Sequence, residues 1–153
     1  MGVGAIAGAG LSVIGNGLTA YANFRAGQEN QAINEWNAKI QDTRARDAVR
    51  IGQNEESTYR RNVRKIIGDQ RAGYAGQNVV VSSGSAATVA ETTAQIGEQD
   101  ALTIRNNAAR EAWGFKVAAH DYRLRGDAAM AQGRMAAYAS LLNGGAGAIG
   151  ALA

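Results

Sequence analysis

The chain has 153 residues and no proline. A backbone without proline carries an amide N–H at every position, so nothing in it forbids helix from one end to the other. Only one stretch interrupts the helical pattern. Near the middle, "NVVVSSGS" (Asn78 to Ser85) sets three β-branched valines before a Ser-Gly-Ser cluster. Gly73 and Gly76 are placed to end a first helix, and Ser83-Gly84-Ser85 to cap the start of a second. The pattern predicts an all-α chain, a long antiparallel helical hairpin whose connector lies near 76–85.

Between about Tyr21 and Tyr74 the apolar residues Ile33, Trp36, Ile40, Tyr59, Val63, Ile66, Ile67 and Tyr74 recur at helical spacings and read as one narrow stripe. From about Ala86 to Leu142 a second stripe runs through Val89, Ile96, Leu102 or Ile104, Trp113, Val117, Tyr122, Leu124, Met135 and Tyr138, with alanines on the same face. Gly52 and Gly68 read as bends or close packing points. The two stripes bury too little apolar surface to offset the ordering of two long helices. The chain is therefore expected to be oligomeric, with neighbouring copies completing the core.

Charge divides the chain into three regions. Residues 1–24 form an apolar, Gly-rich N-terminal segment without a charged side chain, and 25–142 the charged hairpin. Residues 143–153 are a Gly/Ala-rich tail, and the uncharged run at that end begins at Met135. The N-terminal segment lacks the basic start of a secretory signal, and Ile6 stands where a myristoylation pattern needs Ser or Thr. Each end approaches the roughly 20 residues that span a bilayer, yet glycine keeps it weakly hydrophobic, and neither reads as a constitutive transmembrane helix. Met1 to Phe24 is expected to be the main membrane-active segment, with Gly4, Ile6, Gly8, Leu11, Val13 and Ile14 as membrane or oligomer contacts. Gly4 and Gly8 make the small-xxx-small spacing that lets helices approach closely in lipid.

Sites of chemistry are scarce. With no cysteine, thiolate chemistry and disulfides are excluded. "GVGAIA" (Gly2 to Ala7) matches the dinucleotide pattern in letters but lacks a preceding strand. His120 is the sole histidine, and helix neighbours such as His120 and Asp121 do not face each other. No catalytic residue, metal ligand or cofactor is assigned. Arg61, Arg64 and Lys65 share a helix face and are candidate phosphate contacts, Glu55 and Glu56 lying one turn upstream. The alternation of charge and the net charge of +3 fit a solvated or ion-paired face better than a nucleic-acid patch.

From Ile66 to Ala119 the order of residues becomes distinctive. Gly73-Tyr74-Ala75-Gly76, the valine step, Ser83-Gly84-Ser85 and "DALTIRNNAAREA" (Asp100 to Ala112) resemble the internal virion, or ejection, proteins of tailed bacteriophages, especially the small internal core protein of short-tailed phages. The likeness covers about a third of the chain. It implies a protein held in the capsid interior or near the portal or tail, then ejected into the host cell envelope as a multimeric conduit for genome delivery. Its implied partners are copies of itself, other virion core, portal or tail proteins, the host membrane and, weakly, phage DNA. The ending "GGAGAIGALA" departs from the family, so no C-terminal function is carried over. A static virion component, such as a head-to-tail adaptor or portal-associated core scaffold, is the alternative expectation.

Overall fold

The computed structural model of the chain describes the backbone of residues 3–150 and the side chains of residues 15–143. Two helices make up almost all of it. Helix α1 runs Val3–Gly76 and helix α2 Gly84–Gly150, packed antiparallel as a hairpin, with no strand among the described residues. Of the three connector valines, Val79 and Val80 are exposed and Val81 is half-buried.

Helix α1 ends in a backbone motif rather than at a glycine with positive φ. Asn78 takes φ 59°. Its N–H bonds to the Ala75 carbonyl at 3.1 Å, and the Val79 N–H reaches back to the Tyr74 carbonyl at 3.0 Å. These are the two bonds of a Schellman ending, and asparagine is the residue after glycine best able to occupy the left-handed position. Gly73 lies inside the helix. Helix α2 is entered through Gly84 at φ 67°, a conformation that strains any residue with a Cβ.

The hairpin divides into two compact units. In the connector unit, Asp42–Val117, the row of α1 facing its partner is Ala45, Ala48, Gly52, Glu56, Tyr59, Val63, Ile67, Gln70 and Tyr74, all buried or half-buried. The facing row of α2 is Ala86, Ala90, Thr93, Gly97, Ala101, Ile104, Ala108, Ala112 and Phe115. Both rows repeat every 11 residues, as in Ala86, Gly97 and Ala108. That period is 3.67 residues per turn, just above the natural 3.6, and is the period of right-handed coiling. Ala45, Ala48 and Ala112 form a buried cluster with Phe115 packed against it.

The terminal unit, Met1–Gln41 with Ala118–Ala153, uses a different period. Its facing rows, Ala20, Phe24, Gly27, Gln31, Asn34 and Ala38 on α1, and Ala119, Tyr122, Gly126, Ala129, Gly133, Ala136 and Ser140 on α2, alternate steps of three and four. This is a heptad, the period of left-handed coiling. Here the helices meet backbone to backbone. A Cβ added at Gly133 would lie 2.8 Å from the Gly27 Cα and 2.9 Å from the Asn23 carbonyl oxygen.

Among the described residues the buried core is therefore alanine and glycine with Met130, which corrects the stripes expected from the sequence. Tyr59, Val63, Ile67 and Tyr74, and on α2 Ile104 and Tyr122, do lie in the seam. Ile33, Trp36, Ile40 and Ile66, with Val89, Ile96, Leu102, Trp113, Val117, Leu124, Met135 and Tyr138, lie outside it. Trp36 is 66% exposed and Trp113 68%. The physical reason is the close approach itself. At the levels where glycine and alanine meet there is no room between the helices for a large side chain, so most of the bulky residues fall on the flanks.

Gly52 and Gly68 now separate. A Cβ on Gly52 would sit 2.1 Å from the Ala108 Cβ, a methyl that cannot swing away, whereas Gly68 has nothing within 4 Å. Gly52→Ala is expected to destabilise the fold by about 1–3 kcal/mol through overpacking, outweighing a helix-propensity gain of about 1 kcal/mol. Gly68→Ala keeps the gain and is expected to stabilise by up to about 1 kcal/mol. Urea unfolding of the two variants checks the opposed signs.

Candidate contact surfaces

The candidate phosphate contacts sit on α1 in the connector unit. Arg61, Arg64 and Lys65 are all exposed, at positions that put them on one face of the helix. Arg61 donates to the Thr58 hydroxyl at 2.9 Å. Their neighbour Arg60 is committed elsewhere. Its guanidinium holds Glu56, one turn back on α1, at 3.0 Å and reaches across the seam to both carboxylate oxygens of Glu98. Of the four clustered cations, Arg60 is thus a structural clamp, and three face solvent.

Two further bonds cross the seam of this unit. The Tyr59 hydroxyl donates to Asp100 at 2.6 Å, and the Gln70 amide donates to the Thr93 hydroxyl at 3.1 Å. Gln70 keeps one buried oxygen, Oε1, without a protein partner. In the terminal unit Asn23 donates to the Ser140 hydroxyl and Gln31 to Asp127, each at 3.3 Å. Sequence reading marked Tyr59 as apolar stripe, named Asp100 only within the run that carries the resemblance, and passed over Glu98 and Thr93. The 11-residue register was the signal that would have paired them, since residues a fixed distance from facing glycines and alanines must face each other too.

The terminal unit carries a cleft of about 600 Å³ between α1 and α2, lined by Gly17, Ala20, Tyr21, Phe24, Arg134, Ala137, Tyr138 and Leu141. Its walls are mainly apolar and aromatic. Arg25 lies 5.9 Å over the Tyr21 ring, a cation–π distance. His120 is exposed on α2, and its neighbour Asp121 is instead ion-paired with Arg125 at 2.6 Å. Among the described residues no cluster of His, Asp or Glu is placed to hold a metal ion. The expected membrane or oligomer contacts Gly4, Ile6, Gly8, Leu11, Val13 and Ile14 lie outside the residues whose side chains are described. Among the described residues, no helix is long and apolar enough to cross a membrane.

The cross-seam bonds make stability depend on pH with opposite signs. Hydrogen bonds from Arg60 hold the Glu98 carboxyl below its ordinary value of 4.5, so its contribution is complete above that value and is lost as pH falls through the lower folded one. The hydrogen bond to Asp100, and its charge, hold the Tyr59 hydroxyl above 10.0, so that contribution is complete below 10.0 and is lost as pH rises through the higher folded value. Glu98→Gln is expected to flatten the acid limb of the stability profile, and Tyr59→Phe the alkaline limb. Thermal midpoints across pH measure both, and high salt is expected to shrink the acid effect because the pair is exposed.

Comparison with protein-family models, curated proteins and solved structures returned no match to this chain.

Proposed function

We propose that the chain is an internal virion, or ejection, protein of a tailed bacteriophage, assembling as a homo-oligomer into a conduit for genome delivery across the host cell envelope. The observation that carries this is the inversion of side-chain size. The hairpin spends its small residues on its own seam and leaves Trp36, Trp113, Leu124 and Met135 exposed. Large apolar side chains in rows on a soluble surface mark an interaction site, and a subunit of this kind is completed by neighbours. The resemblance over Ile66 to Ala119 supplies the phage setting. Uncharged ends, Met1 to Phe24 and Met135 to Ala153, supply segments that avoid the roughly 2.5–3.5 kcal/mol cost of each charge at a bilayer centre.

In this reading the protein waits in the capsid interior or near the portal or tail, beside other virion core, portal or tail proteins. It then enters the host envelope. Arg61, Arg64 and Lys65, exposed and grouped, make a weak contact with phage DNA. A static virion component, a head-to-tail adaptor or portal-associated scaffold, would use the same exposed apolar rows and is the second reading.

The two readings part when particles release their genomes. Mass spectrometry of particles before and after release is expected to show this chain lost; its retention would favour the static component. In parallel, the intact chain is expected to release dye from lipid vesicles, and deletion of residues 2–20 to reduce that release. Leakage that is absent, or unaffected by the deletion, removes the membrane role.

A further inference from the structure

The terminal unit carries a second heptad row on each helix, turned away from the seam. On α2 it is Leu124, Ala128, Ala131, Met135, Tyr138 and Leu142, every one exposed and none charged. On α1 it is Ala22, Ala26, Glu29, Ile33, Trp36 and Ile40, again all exposed. Steps of four and three, the period of the buried seam, hold each row to one face.

The two rows match in height. Gly27 meets Gly133, and Asn34 lies against Gly126, so the antiparallel helices run level at these points. By the same register Ala22 and Ala26 stand level with about residues 134–138 of α2, and Ile33 and Trp36 with about residues 124–127. Side-chain size is complementary where small residues of one row stand level with large ones of the other, while Trp36 stands level with Leu124 as an apolar pair. The small end of the α1 row faces the height of Met135 and Tyr138, and its large residues the height of Leu124 and Ala128. Glu29, the single charge in either row, stands within a turn of the level of Arg134, which is exposed on the flank of the α2 row.

We propose that these rows bind each other between copies, head to tail: the Ile33–Trp36 face of one chain packs on the Leu124–Ala128 face of the next, with Glu29 beside the neighbour's Arg134. A rotation about an axis parallel to the helices preserves height, so a ring brings the matched levels together. A two-fold pairing of α2 with α2 would leave Trp36 uncovered. Area also separates the two arrangements. A face about 30 Å long and about 10 Å wide gives about 300 Å² per copy at one contact, or about 600 Å² in all, below the roughly 1,200 Å² of a stable two-body interface. Closure into a ring makes every copy use both faces, and a heterologous contact of this kind closes when its rotation allows. The inference rests on the assembly part of the proposed function and names its contact.

The chain has no cysteine, so introduced ones report cleanly. Full-length Ile33→Cys, Ala128→Cys and the double variant are treated with a short bismaleimide, alone and with phosphatidylglycerol-containing vesicles. Wild type is sedimented under the same conditions. The double variant is expected to give a ladder beyond dimer on a denaturing gel, and each single variant to stay monomeric. Dimers from Ala128→Cys alone, or no ladder from the double variant while wild type assembles, overturn this contact and leave assembly standing. Wild type that sediments as a monomer in both settings overturns the contact and the assembly reading together.

Discussion

The structure depends on how closely two helices approach where their facing residues are glycine and alanine. At Gly27 and Gly133 the backbones touch, and at Gly52 only the Ala108 methyl fits between them. Such contact gains dispersion along its whole length, each atom pair contributing about 0.1–0.2 kcal/mol. It returns little from the hydrophobic effect. A buried methyl contributes about 0.8 kcal/mol, against about 1.5–3 kcal/mol for a leucine or isoleucine, while each ordered residue costs about 1–2 kcal/mol of backbone entropy. A seam built this way holds a hairpin together but leaves it short of the burial that a self-sufficient core supplies.

A row of small residues is also nearly featureless, and one alanine fits opposite another in several registers. The polar bonds across the seam remove that ambiguity. Arg60 with Glu98, Tyr59 with Asp100 and Gln70 with Thr93 all form only when Gly52 faces Ala108 and Gly97 faces Val63. Exposed ion pairs add little to stability, so their main effect is to select one alignment. Asn23 with Ser140 and Gln31 with Asp127 act in the same way in the terminal unit.

Placing bulk on the outside connects the seam to the proposed assembly. A protein that stored its tryptophans and leucines in its own core would present a polar surface and have little reason to associate. Here the same choice of small residues that allows close approach forces Trp36, Leu124 and Met135 onto the flanks. Their rows share the terminal unit's heptad period, so in the proposed assembly a helix from another copy would meet them along one face.

The all-helical character and the single connector were written in the sequence. A chain without proline has no obligatory break, and only the stretch around Val79 to Ser85 combines β-branching with glycine and serine. The grouping of Arg61, Arg64 and Lys65 on one exposed face was legible too, because local helical spacing settles it. Which face was buried was not. Spacings of three and four are satisfied by the Ile33, Trp36 and Ile40 row and by the alanine row alike, and hydrophobicity ranks the first above the second. Only the partner helix distinguishes them, by fitting glycine and alanine at contact distance and excluding anything larger at those points. The tertiary structure decided Arg60's partner for the same reason, since Glu98 is distant along the chain and comes within reach only through the register of the seam.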